Sequence, residues 1–437
     1  MDVFVRASLR MLLAVSLAML WLHGATENPA VDVRIEAKGD GFTLLRNGQP
    51  FFIKGAGGDF SHIDALQASG GNSLRVWSAP TEAQLDDIWQ HGITVLVGLH
   101  LGLPRQGFKY TDAAAVEQQK QQALATVRRL KAHPAVLMWA LGNELELDAS
   151  DADRIRVWKA VEQLAKAVKA EDPNHPVIAV LAGPGETKLR ELDQYCPSLD
   201  AVGINVYGAI ANLPKAISDQ GFKRPYVVTE FGAHGHWEVV RTSWGVPIED
   251  TSSQKEDFIL QSWNSAIANR PQCLGGYVFY WGQKQEKTHT WYGLFLPDGS
   301  KLGGVDAVQL LWTGKWPQHR CPVIDGSILA KVVNPDDERA PGIFHPGSRL
   351  RCLIYTSDLD GDPVNVRWEL RKDVANNRST GGDAEPATPP IEGAVVSASG
   401  TSAEIAIPAT PGDYRIFVYV HDKHGGAATA NLAIESR

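Results

Sequence analysis

The chain has 437 residues, 44% of them apolar and 21% charged, which is too long for one ordinary core and too apolar for disorder. A net charge of −8 argues against nucleic acid or an anionic membrane surface as the main partner. Thirteen tryptophans are many for this length; most are expected in the core, and the excess hints at some ring-stacking platforms.

The N-terminus reads as a targeting segment. Arg6 and Arg10 precede an apolar run over 11–22, and Gly24 and Ala25 follow. That is the pattern of a secretory signal over residues 1–25, since the run is short for a membrane span. Cleavage after Ala25 places His23 at the minus-three position, so an uncleaved anchor, and with it membrane association, stays open. The expectation is an exported protein, periplasmic or extracellular. In that setting the four cysteines, Cys196, Cys273, Cys321 and Cys352, permit two disulfides. Cys196 and Cys273, each just ahead of a strand-like run, are the candidate pair. The cysteine spacings match no zinc pattern.

Residues 26–50 contain a hairpin, because apolar runs flank Arg46-Asn47-Gly48-Gln49 and Asn-Gly is a strong turn signal. Eight strand-like runs follow, over 51–55, 73–77, 94–99, 136–141, 177–181, 201–206, 226–229 and 276–281. Helical patterns lie between them, most clearly over 112–132 and 151–170, the latter ending at Asp172-Pro173. Near-continuous apolar strands alternating with helices predict an α/β (β/α)₈ TIM barrel over 51–318. A doubly wound open sheet would need a phosphate-binding glycine turn. Gly55-Ala56-Gly57-Gly58 lacks its spacing and its acidic partner, so close packing or substrate approach is expected there instead.

From residue 319 to 437 the pattern changes to short alternating strands, over 349–355, 364–370, 404–407, 414–421 and 427–434, with Pro, Gly and Asp turns. This predicts a small all-β accessory sandwich. Residues 376–390 read as a polar surface loop. The turn Asp358-Leu359-Asp360-Gly361-Asp362-Pro363 is read as a hairpin turn rather than a calcium loop, because no twelfth-position Glu completes one. The few aromatics of this module, Tyr355, Trp368 and Tyr419, alternate as core residues do, so a bracing role is favoured over polysaccharide binding.

Barrel enzymes gather their chemistry at the C-terminal ends of the strands. Read there, the runs end near Arg75 and Trp77, at His100, at Asn143-Glu144, at Asn205 and Tyr207, at Glu230, and at Trp281 and Gln283. Two carboxylates at one mouth suit glycosidic bond cleavage, in which one protonates the leaving oxygen and the other attacks or activates water. Arg75 beside Glu230 favours an ionised nucleophile that a Tyr207 hydroxyl orients. Glu144 must carry its proton, so burial is expected to raise its pKa. Asn143 suits a bond to the sugar 2-hydroxyl, and Trp281 the floor of the sugar subsite. The loop Ala233-His234-Gly235-His236-Trp237-Glu238 and the stretch 281–291 are candidate subsite walls, with His236, Trp237 and Gln283 as binding residues. His234 and His236 lack a third ligand for a metal, and the chemistry calls for neither metal nor cofactor.

These motifs carry a resemblance. Leu141-Gly142-Asn143-Glu144 and Val228-Thr229-Glu230-Phe231-Gly232 resemble the acid/base and nucleophile motifs of clan A glycoside hydrolases. Gly71-Asn72-Ser73-Leu74-Arg75, Asn205-Val206-Tyr207 and Tyr280-Trp281 resemble that clan's motifs on the second, sixth and eighth strands. With Phe51-Phe52-Ile53-Lys54-Gly55 at the barrel entry, the nearest likeness is the family 2 barrel. It implies net retention through a covalent glycosyl-enzyme, Glu144 as acid/base, Glu230 as nucleophile, and carboxylates roughly 5–5.5 Å apart. Ahead of the barrel this sequence offers only a hairpin where typical family 2 β-galactosidases carry two β-sandwiches, so their specificity is not carried over. The C-terminal module resembles immunoglobulin-like domains of the polycystic-kidney-disease type through the 358–363 turn, Trp368, Gly412-Asp413-Tyr414 and 421–425. The expectation is a retaining β-glycosidase on a β-linked glucan or related saccharide. Its rivals are a transglycosylase using the same residues and an inactive carbohydrate-binding barrel.

Overall fold

The computed structural model describes residues 31–374 and 385–437. The targeting segment and most of the 376–390 loop lie outside the described residues. Eight parallel strands close into a barrel in sequence order: β1 (Ile53–Gly58), β2 (Ser73–Val76), β3 (Thr94–Leu99), β4 (Val136–Leu141), β5 (Val177–Ala182), β6 (Ala201–Asn205), β7 (Tyr226–Gly232) and β8 (Cys273–Trp281). Nearly every residue of β2 to β7 is buried, as expected where one face meets the barrel interior and the other the helices. Helices Ala113–Leu130 and Asp151–Glu171 stand where the apolar periodicity placed them. Asp112 and Ser150 cap them by accepting the backbone N–H groups of Ala114, Ala115 and Asp153.

The N-terminal hairpin gains a strand that the sequence did not advertise. Val33–Lys38 pairs with Gly41–Arg46, which pairs with Gln49–Pro50. This small sheet plugs the N-terminal end of the barrel. Val33 and Leu44 join Ile53, Leu96, Met138, Ile178, Val227 and Tyr277 in one buried cluster. The Val33 and Phe42 N–H groups donate to the carbonyls of Asn174 and Pro271, which fixes the plug to the barrel loops.

The glycine-rich stretch of β1 is a packing device, one of the two readings its composition allowed. A Cβ on Gly55 would lie 2.3 Å from the Tyr277 ring, and one on Gly58 would lie 2.2 Å from the Trp281 carbonyl oxygen.

The C-terminal region is a sandwich of two sheets sharing one core, which includes Ile324, Leu350, Ile354, Leu370, Ile405, Ile416 and Val418. One sheet contains β9 (Val323–Val332), β10 (Arg349–Ser357), β12 (Val395–Ser399) and β13 (Ser402–Ala406). The other contains β11 (Asn365–Lys372), β14 (Gly412–His421) and β15 (Gly426–Ser436) with short edge strands. Two of these strands escaped the sequence pattern. In β9, Asp325-Gly326 reads as a turn but is an irregularity within the strand, with Gly326 at φ 77°. β12 is an exposed edge strand of small residues, so it shows no alternation. Asp358 ties the β10–β11 turn by accepting the N–H groups of Asp360 and Asp362.

The barrel and sandwich share a sheet: Lys301–Leu302, just before the last barrel helix (Gly303–Thr313), pairs with β15. The candidate disulfide does not form. All four cysteines are free and buried. Cys196 follows helix Lys188–Tyr195 and donates to the Trp158 carbonyl, while Cys273 opens β8. Strand β7 separates β6, which follows Cys196, from β8.

Gly55→Ala should cost about 1–3 kcal/mol through overpacking against Tyr277. Urea unfolding checks this, and an unchanged midpoint would contradict the packing role.

Candidate active site

Arg75 enters the barrel from β2 and is almost fully buried, so each of its donors needs a partner. One terminal nitrogen donates to Glu230 Oε1 at 2.7 Å, to the Thr229 carbonyl at 2.8 Å and, more weakly, to Asn205 Oδ1 at 3.4 Å. The other donates to Asn143 Oδ1 at 2.6 Å. Glu230, near the end of β7, also accepts Trp77 Nε1–H at 3.2 Å and, on its second oxygen, the Tyr207 hydroxyl at 2.6 Å. Three donors on one carboxylate form a pattern that its ionised form satisfies. Burial and the adjacent Glu230 charge push the Tyr207 phenol well above its ordinary range, so it stays a donor.

Glu144 reaches the same place by a different route. β4 ends at Leu141, Gly142 adopts φ 67°, and Glu144 itself sits at φ 53°, a left-handed conformation that non-glycine residues rarely hold. Its N–H donates to the Val180 carbonyl, which locks this turn. Asn205 Nδ2 donates to Glu144 Oε1 at 2.8 Å and to Asn143 Oδ1 at 3.1 Å. Part of Glu144 stays open to the cavity, yet the walls strip most of its water. Burial, reinforced by the Glu230 charge, raises its pKa to about 7, against the Asn205 bond and the Arg105 charge, which lower it. The two carboxyls thus stand in different surroundings, Glu230 among three hydrogen-bond donors and Glu144 with one amide donor and a raised pKa.

Both glutamates line a cavity of about 530 Å³ at the C-terminal mouth, with Trp77, Asn143, Asn205, Tyr207 and Trp237 on its walls. The sequence had named all seven. The remaining wall includes Arg105, Glu238, Phe279, Tyr280, Lys284, Glu286 and Tyr292.

Residues 87–271 match the family model described as the TIM barrel domain of glycosyl hydrolases family 2. The matched stretch lies within the barrel. A β-glucuronidase of Pongo abelii is 25% identical over 222 residues, covering 44% of this chain and 32% of that protein, so the chain spans about a third of the relative's length. Among solved structures, a β-D-glucuronidase of Dictyoglomus thermophilum aligns with a TM-score of 0.50 at 20% identity, covering 65% of this chain and 54% of that one. A Bifidobacterium dentium β-glucuronidase does so with a TM-score of 0.50 at 20% identity, covering 64% and 49%. At these identities the structural likeness speaks for the fold.

Arg75, buried behind Glu230, is outside the cavity lining, and four other residues picked from the sequence do not face the cavity either. Trp281 is fully buried among the helices, where its indole N–H donates to the His62 carbonyl and its ring packs on Phe295. The reason is a slip in alternation. Tyr277 and Phe279 point inward and Val278 outward, but the register of β8 against β1 shifts between Phe279 and Trp281. Tyr280 therefore joins the wall and Trp281 turns away. His100 and Gln283 are exposed and outside the cavity lining, one and two positions past the strands that a simple end-of-strand rule reads. Their neighbours Arg105 and Lys284 line it instead. His236 is fully buried behind the wall, with Nε2 3.4 Å from Glu286 Oε1. Burial alone would raise the Glu286 pKa, but His236 and Lys284 outweigh it and the carboxyl is lowered. Glu286 and Glu238 were legible only as members of loops rich in polar residues. Glu238 secures the mouth by accepting the N–H groups of Gly208, Ala209 and Gly235.

His234 pairs with Asp250 and stacks on Phe258. Away from the cavity, His319, Asp362 and His424 bring ligand-type atoms within 4.8 Å of one another. The two imidazoles are stacked at 3.6 Å and 12°, so their in-plane lone pairs run side by side rather than converging on one point.

Carboxyl-carbon NMR should give Glu144 a titration midpoint near 7. Arg105→Gln should move that midpoint upward, because the guanidinium favours the ionised form. A downward shift would contradict this electrostatic arrangement.

Proposed function

We propose that the chain is a retaining β-glycosidase that cleaves a β-linked oligo- or polysaccharide by double displacement. The observation that carries this reading is the asymmetry of the two carboxyls. Glu144 has a pKa of about 7 beside Glu230, which collects three hydrogen-bond donors. In the first step a Glu230 oxygen attacks the anomeric carbon. Glu144 gives its proton to the departing glycosidic oxygen, leaving a glycosyl ester on Glu230 and an ionised Glu144. In the second step Glu144 takes a proton from water, the water oxygen attacks the same carbon, and the ester bond breaks. Tyr207 and Trp77 hold the Glu230 oxygens in line throughout. Asn143 spends its carbonyl on Arg75 and Asn205, which leaves its amide nitrogen to a sugar hydroxyl. Trp77, Tyr280 and Trp237 offer ring faces and edges to the sugar.

Glu230→Ala should lower kcat by on the order of 10⁴-fold or more. Wild-type-like turnover in a folded variant would refute the assignment. Glu144→Ala should lose about 10²–10⁴-fold on natural glycosides and far less on aryl glycosides with good leaving groups, which need little protonation. Equal losses on both would point to a different acid.

For the wild type, kcat/KM should fall as pH rises through about 7, because only protonated Glu144 serves the first step. Product NMR on a panel of β-linked oligosaccharides should show the β-anomer first. The panel should include aryl β-glucuronides, since the named relatives are β-glucuronidases. Products longer than the substrate would favour transfer over hydrolysis.

A further inference from the structure

Two irregular segments form much of the cavity wall. The loop after β7 supplies Trp237 and Glu238, and the segment after β8 supplies Lys284, Glu286 and Tyr292. The far side of each is tied to the sandwich by buried and half-buried hydrogen bonds. Glu249 is the knot. It accepts Lys255 Nζ at 2.6 Å, the Thr288 and Thr290 hydroxyls at 2.6 and 2.9 Å, and Asn431 Nδ2 of β15 at 2.6 Å. One carboxylate thus joins the β7 loop, the β8 segment and the sandwich. Arg415 of β14, buried and paired with Asp373 at 2.9 Å, donates to Asn431 Oδ1 and to the Pro247 carbonyl, both at 2.8 Å. A second tie joins His289 Nε2 to the Tyr419 hydroxyl at 2.7 Å, and that hydroxyl in turn donates to Glu369 at 3.1 Å.

We infer that the sandwich is a positioning element for substrate: Asn431 and Tyr419 act through Glu249 and His289 to set the cavity wall that carries Trp237, Glu238, Lys284 and Glu286. The inference rests on the cavity being the saccharide site. Its logic is that of a supporting shell. Irregular loops hold a binding geometry only where other groups fix their backbones, and small displacements there cost binding. Barrel helices fix the strands, and these two segments are tied in addition to β14 and β15 through Glu249, the Pro247 carbonyl and His289. Neither Asn431 nor Tyr419 lines the cavity, so each acts at one remove.

The test uses the full chain with Asn431→Leu and, separately, Tyr419→Phe, the milder change. Amide hydrogen exchange over 233–250 and 282–292 should quicken at least about tenfold, while exchange in the barrel strands and in β10 and β13 stays as in the wild type. On whichever glycoside the wild type turns over, KM should rise at least about fivefold, while the alkaline limb set by Glu144 keeps its midpoint. Folded variants with unchanged loop exchange would overturn the inference, as would quickened exchange with unchanged KM. A variant that loses exchange protection throughout is set aside and the other decides. If the wild type turns over no glycoside in the panel, the proposed activity fails, and the exchange arm still decides whether the sandwich holds the loops.

Discussion

The centre of this molecule is a single guanidinium. Arg75 sits at the C-terminal end of a closed barrel, where water cannot reach it and a lone charge would cost several kcal/mol. It is tolerated because acceptors from three other strand ends converge on it: the Glu230 carboxylate and the Thr229 carbonyl on β7, Asn143 after β4, and Asn205 on β6. Each partner has a second commitment. Glu230 takes Trp77 and Tyr207, and Asn205 reaches Glu144. The two carboxyls therefore belong to one hydrogen-bonded network anchored on a buried cation, and shifting any strand end disturbs both.

That network explains how the same residue type meets two environments. Glu230 lies deep among donors. Glu144 hangs on a left-handed turn above it, with one amide donor and the Arg105 charge against the pull of burial and the Glu230 charge. The turn is part of the design. Gly142 and the φ of 53° at Glu144 redirect a side chain that a continued strand would aim elsewhere, and the Val180 carbonyl holds that conformation in place.

Much of this was legible in the sequence, for a physical reason. Barrel strands buried on both faces read as apolar runs, so the polar residues at their ends stand out: Arg75, Asn143-Glu144, Asn205, Tyr207 and Glu230 were visible as departures from the pattern. The rule failed where the backbone departs from regular alternation. On β8 the register slips after Phe279, which exchanges Trp281 for Tyr280 at the wall. It failed again in the loops, where no periodicity says which side chain turns inward, so His100 and Gln283 were chosen over Arg105 and Lys284. Glu249 was invisible because its partners, among them Thr288, Thr290 and Asn431, lie 39 to 182 residues away.

The two ends of the barrel are built on opposite terms. The N-terminal end is closed by apolar contact, with Val33 and Leu44 of the plug resting on the interior cluster, and a few backbone bonds suffice to fix it. The C-terminal end cannot be closed that way, because a cavity for a polar ligand must keep carboxylates, amides and hydroxyls at its walls. Polar walls hold their shape only when each group is satisfied from behind, and Lys255, on the barrel helix Ser252–Ala266, does part of this through Glu249 and the Thr290 carbonyl. The sandwich supplies more of that backing with buried and half-buried polar groups of its own, Arg415, Asn431 and Tyr419. An all-apolar interface would bind the module as firmly but would leave Glu249 and the Pro247 carbonyl without these partners. The polarity of the contact between barrel and sandwich follows from the polarity of the cavity it supports.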